Sequence, residues 1–128
     1  MPVEQTPSSR CRLGIGRSDI TPPVGIYHRF WGAAKHDRAE GIHKPLTATV
    51  LITAPLDTSS DDERSVIVAL DHCILRPLEM QELSAAVCQM IGEEESRVTF
   101  TFSHTHSGGN LCKDRLNLPG GELIVPYL

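Results

Sequence analysis

Residues 65 to 102 read SVIVALDHCILRPLEMQELSAAVCQMIGEEESRVTFTF, and the fold class turns on this stretch. Ser65 to Leu70 is a continuous run of apolar, β-favouring residues, which predicts a strand buried on both faces. Pro77 suits the first turn of a helix, because its missing N–H has no intrahelical partner there in any case. Behind it Leu78, Met80, Leu83, Val87, Met90 and Ile91 recur at helical spacing, and Gly92 supplies the stop. Arg97 to Phe102 predicts a second short strand. Strand, helix and strand make a βαβ unit, whose two strands run parallel across a right-handed connection.

Upstream, Leu46 to Ala54 holds Thr47, Val50, Ile52 and Thr53 and predicts another strand. Pro55 to Arg64 contains Asp57, Asp61, Asp62 and Glu63, and reads as the solvated loop of an antiparallel hairpin. Arg12 to Ile20 predicts an earlier strand, closed by Pro22-Pro23, which forces a turn or extended backbone. Gly14-Ile15-Gly16 is not a dinucleotide fingerprint, since the third glycine is missing and no helix can start at the prolines. Asp19 beside them is expected to lock Thr21 through an Asx-type hydrogen bond. Residues 24 to 44 form a long loop, with Tyr27, Phe30 and Trp31 suggesting that part of it packs down. Residues 1 to 10 read as a loose polar tail, and 11 to 128 as ordered. Glu122 to Leu128 opens a further element. The expected fold is α/β: a mixed sheet with the βαβ unit and an N-terminal strand pair.

The chain has 128 residues, enough to bury a core, and 40% are hydrophobic before its glycines are counted. A formal charge of -4 argues against a nucleic-acid partner. No window holds the roughly 18 apolar residues of a membrane span. No secretory signal is visible in Met1 to Arg10, which favours a cytoplasmic chain. Cys11, Cys73, Cys88 and Cys112 lack CxxC spacing, so a structural zinc site made of cysteines is not expected. Cys73 and Cys88 read as buried free thiols.

In open α/β sheets, ligands gather at the carboxyl ends of the strands. Two segments deliver polar groups there: Asp71-His72, and Ser103-His104-Thr105-His106-Ser107-Gly108-Gly109. In extended backbone His104 and His106 face the same side. Two imidazoles can then share one ion, or one can bind it while the other contacts substrate, and neutral imidazole is a common zinc ligand. The glycines let backbone approach a ligand closely. The plainer alternative is a hydrogen-bonded polar loop. Asp71 is either a partner that orients a ligating histidine or a cap for a helix or turn. His72 belongs to core or surface. His43, just before a strand, either faces the same cleft or is a bystander, and His28 and His36 read as loop histidines. No G-x-S-x-G elbow or phosphate loop is present.

Taken in order, Leu13-Gly14-Ile15-Gly16-Arg17-Ser18-Asp19-Ile20-Thr21-Pro22-Pro23, then Gly41-Ile42-His43-Lys44-Pro45-Leu46, then a strand ending at Asp71, then Ser103-His104-Thr105-His106-Ser107-Gly108-Gly109, the chain resembles the N-terminal portion of the neutral/alkaline (non-lysosomal) ceramidase family. Ser103 departs from the threonine of that family's T-H-T-H-S-G pattern. The resemblance implies a zinc-dependent amidase that cleaves the N-acyl bond of ceramide or a related lipid amide. It implies His104 as a zinc ligand and His106 as a substrate contact or second ligand, with Asp71 supporting. Family members are often secreted. Their remaining ligands, a histidine, a glutamate and a tyrosine, lie farther downstream than residue 128. The chain is thus expected to be the N-terminal fragment of a larger ceramidase-like catalytic domain, inactive until completed by downstream residues or a partner. A non-catalytic fragment and a small metal-binding or interaction module are the alternatives.

Overall fold

The structure is a computed structural model that describes residues 8–56 and 63–128. Most of the proposed N-terminal tail and the acidic centre of the 55–64 loop lie outside the described residues. Four strands form one sheet in the order β1-β2-β3-β4: β1 (Cys11–Asp19), β2 (Thr47–Pro55), β3 (Ser65–Leu70) and β4 (Val98–Phe102). β1 pairs antiparallel with β2, and β2 antiparallel with β3. β3 pairs parallel with β4, Leu70 lying opposite Phe102. The connection between them is α1 (Pro77–Ile91). Each of these elements matches its expected place to within about two residues.

α1 starts where the sequence signals it. Arg76 is extended, Pro77 sits in the first turn, and Gly92 ends the helix at φ 68°, where its N–H reaches the Cys88 carbonyl. The helix lays Val87, Cys88 and Ile91 on one face of the sheet, against Val66, Val68 and Val98. Two expectations fail here. β3 is covered on one face only, with Val66 and Val68 buried but Ile67 40% exposed. The other sheet face also leaves Leu13 and Ile15 in the open. And the apolar stripe of α1 is not all core: Leu78 and Met90 face solvent, while Glu79 and Ser84 are buried. The polar pair is held by specific partners, Glu79 Oε1 accepting from the Lys113 N–H (2.9 Å) and Ser84 Oγ donating to Glu95 Oε1 (3.0 Å). Spacing alone could not show those partners.

A second core gathers Ile26, Tyr27, Leu111 and Ile124. It folds the 24–44 loop against the C-terminal helix α2 (Ile124–Tyr127). The loop makes a short antiparallel bridge between Tyr27 and Arg38, with Gly25 N–H donating to the Ala39 carbonyl and Ala39 N–H to the Ile26 carbonyl. Tyr27 packs down as expected, whereas Trp31 is 60% exposed. The Asx turn also forms: Asp19 Oδ1 accepts from the Thr21 N–H (2.7 Å) and hydroxyl. No helix among the described residues is long and apolar enough to cross a membrane.

Gly120 joins the two halves of the second core. It adopts φ 87°, and its carbonyl accepts the Tyr27 N–H at 3.0 Å. A Cβ there would stand 2.4 Å from the Gly25 carbonyl oxygen. Gly120→Ala is therefore expected to destabilise the protein by about 2–4 kcal/mol in urea unfolding. Gly32→Ala, which meets open space, should stay within about 0.5 kcal/mol of the parent.

Candidate metal centre

The parallel pair brings two chain segments side by side. Beyond Leu70 run Asp71, His72 and Cys73; beyond Phe102 run Ser103 and His104. Pairing continues one step past the strands, with Ser103 N–H donating to the Leu70 carbonyl at 3.0 Å. Then the chain turns sharply. His104 takes φ 58°, the only positive φ on a non-glycine among the described residues. Thr105 is extended again, and its hydroxyl accepts the Ser107 N–H, capping a short 3₁₀ turn over His106–Gly108.

This bend overturns the expected route to a paired site. The two histidines do not share a side of an extended segment. They meet because the left-handed residue folds one ring back toward the other, with ring centroids 5.4 Å apart. A histidine in that region is uncommon and costs about 1–2 kcal/mol, so the surrounding contacts must hold it. The glycines also act differently from expectation. A Cβ on Gly109 (φ 78°) would lie 3.0 Å from His28 Cα and the Tyr27 carbonyl, so this glycine admits the protein's own loop rather than a ligand.

Cys73 is the residue that sequence reasoning missed. It is fully buried, and one ligand atom each from Cys73, His104 and His106 lie within 4.8 Å of one another. Burial raises the Cys73 thiol above its ordinary value. His106 Nδ1 is buried with no hydrogen-bond partner. Its ring is held by two aromatic neighbours, Phe30 at 4.7 Å and Trp31 edge-on at 4.3 Å between centroids. One thiol and two imidazoles, one of them with an orphaned buried nitrogen, fit a transition-metal ion of the zinc type. The group could bind a metal. The signal for Cys73 was its place, two residues past Asp71 at the same carboxyl edge; its type, read as a core thiol, hid it.

Asp71 does not touch a histidine. Its Oδ2 accepts from the Thr47 N–H (3.0 Å) and hydroxyl (2.9 Å), tying the start of β2 to the end of β3. These bonds to Thr47, helped by Ser103 and Arg17, hold its carboxyl below the ordinary value against the cost of burial. The tie joins two strand ends, a role distinct from both expected ones. His72 is buried, and burial pushes its imidazole below the ordinary value against a weaker pull from the Ile74 backbone. Neither ring nitrogen has a hydrogen-bond partner of ordinary geometry.

The other side of the loop faces a cavity of about 620 Å³. Asp71, Thr105, Ser107, His28, His36 and His43 all line it. His43 is thus on the cleft, and His28 and His36 are more than loose loop residues. The Ser107 carbonyl can only accept, so His28 donates to it through Nε2 (3.0 Å). In neutral His28 the Nδ1 then accepts, and His36 Nε2 is the donor to it at 3.2 Å.

No family model and no curated protein sequence matches the chain. A solved structure described as "Ceramidase complexed with C2" superposes with a TM-score of 0.66 and 20% identity, over 91% of this chain and 19% of its own. At that identity the likeness establishes the fold. The chain has the mixed α/β fold of part of a ceramidase, as its motifs suggested, and spans 19% of the length of that structure.

Two measurements check this geometry. Asp71→Asn should lower stability at pH 7 by about 1 kcal/mol, because an anionic acceptor is exchanged for a neutral one. Asp71 has a lowered folded value, so its contribution is present above the ordinary carboxylate value near 3.8 and fades as pH falls through the lower folded value. The stability gap should close in acid; an equal gap at pH 3 and pH 7 contradicts the assignment. Trp31 is the sole tryptophan and abuts His106. Titrating Co²⁺ or Zn²⁺ should change its fluorescence saturably, and His106→Ala should remove that change.

Proposed function

We propose that this chain carries the metal-binding edge of a zinc-dependent amidase acting on the N-acyl bond of ceramide or a related lipid amide. The observation that carries the reading is the meeting of Cys73, His104 and His106 at the carboxyl ends of β3 and β4, in a fold shared with part of a ceramidase. Sequence reasoning counted at most two ligands in this chain. Cys73 makes three, the usual protein share of a catalytic zinc site that keeps one position open. Zinc bound there would lower the pKa of a bound water to about 7 and polarise an amide carbonyl.

The chain's own residues have distinct tasks in this reading. Cys73 and His104 hold the ion from two adjacent strand ends. His106 either adds the third bond or stays off the ion and contacts the substrate amide beside it. Phe30 and Trp31 fix its ring in either case and shield it from water. Asp71 keeps the edge in register through Thr47 and is a positioning residue rather than a proton carrier.

A second reading is a metal-binding module without turnover. It is favoured by the convergence of three donors within a chain that spans 19% of its structural neighbour. Metal analysis of the purified chain and hydrolysis of a short-chain fluorescent ceramide test the two. One zinc per chain with hydrolysis supports the amidase. One zinc without hydrolysis by the isolated chain fits both readings. A version extended through the downstream part of the domain separates them: hydrolysis that His104→Ala abolishes supports the amidase, and zinc without hydrolysis supports the module. Cys73→Ser and His104→Ala should each lower zinc affinity at least about tenfold. A parent chain that retains no zinc, or variants that retain it undiminished, would overturn both readings.

A further inference from the structure

A second cavity, of about 500 Å³, lies between the ends of β1 and β3, helix α1 and the C-terminal helix α2. Its walls are aliphatic, with Ile20, Leu70, Leu75, Leu83, Leu123 and Leu128 among them. Two polar groups on it are already engaged. The Tyr127 hydroxyl donates to the Ile20 carbonyl at 2.8 Å, and the Asp19 carboxylate accepts from Thr21. His72 differs. It lines the cavity, is 4% exposed, and has no partner for either Nδ1 or Nε2.

A neutral imidazole carries one N–H and one lone pair. Burying both unmet is destabilising, and such groups in native proteins call for a cause. The adjoining space offers one. His72 borders that space, and neither of its nitrogens has a hydrogen-bond partner of ordinary geometry. We propose that this cavity binds a small neutral aliphatic molecule bearing one hydroxyl or amide group, which hydrogen-bonds His72. The leucine-rich wall selects the chain of such a ligand. A hydroxyl or amide both donates and accepts, so it can meet whichever His72 nitrogen borders the cavity, as a donor to its lone pair or an acceptor of its N–H. A carboxylate only accepts, and it would meet the Asp19 carboxylate, which Thr21 holds ionised. The size falls in the usual range for small-molecule sites, about 300–1,000 Å³. The inference uses none of the three metal donors, so it stands or falls apart from the zinc reading.

The test uses the full chain, stripped of metal with EDTA, with ¹⁵N-labelled histidine imidazoles observed by NMR. Titration with 1-octanol should shift the His72 nitrogens saturably, and octanoate should bind at least about tenfold more weakly. His72→Phe, checked for folding by circular dichroism, should weaken octanol binding by about tenfold. Should that variant fail to fold, Leu83→Trp fills the cavity from α1 and should abolish binding. No saturable His72 response, as for a cavity holding only water, sinks the proposal. So does octanoate binding as tightly as octanol, or undiminished octanol binding in Leu83→Trp.

Discussion

β3 and β4 lie parallel, with Leu70 opposite Phe102, and the rest of the molecule follows from that pairing. Parallel neighbours cannot be joined by a tight turn, so the chain must cross over, and α1 is the crossing. Because the strands point the same way, both end on the same edge. Cys73 and His104 arrive there on adjacent chains although 31 positions of sequence separate them. An antiparallel pair would have sent one of them to the opposite edge. The Val66, Val68 and Val98 cluster under α1 holds the register. A slip of one residue would turn those valines outward and carry Cys73 and His104 out of reach of one another.

The sheet and helix were readable because each is announced by a local rule. Alternating or continuous β-branched runs mark the strands, and Pro77 and Gly92 bracket the helix. What escaped was burial. The run Ser65–Leu70 looks two-sided, yet only one helix covers it, and hydropathy cannot count the layers that will pack on a strand. Glu79 is buried because Lys113, 34 positions away, supplies the N–H that it needs. Such partners arise from tertiary contact and leave no trace in periodicity.

The site was legible in the same partial way. The two histidines of the S-H-T-H-S-G stretch stand out by type and place, and they do meet. The reason they meet was not legible, since nothing in the residue names announces a histidine at positive φ. Cys73 was misjudged because a thiol inside an apolar stretch looks like filling. His28 and His36 read as loop histidines because their segment has no pattern. The bridge between Tyr27 and Arg38 and the close approach of Gly109 bring that loop onto the strand ends. Loop residues gather by closure rather than by periodicity, and sequence patterns record only the latter.

The left-handed backbone at His104 has a consequence for which sequences can occupy this fold. Glycine adopts that conformation at no steric cost, and asparagine tolerates it better than most residues. Selection for folding stability alone would therefore drift position 104 away from histidine. The residue that this backbone accepts most easily and the residue that brings an imidazole beside Cys73 and His106 are therefore different at position 104.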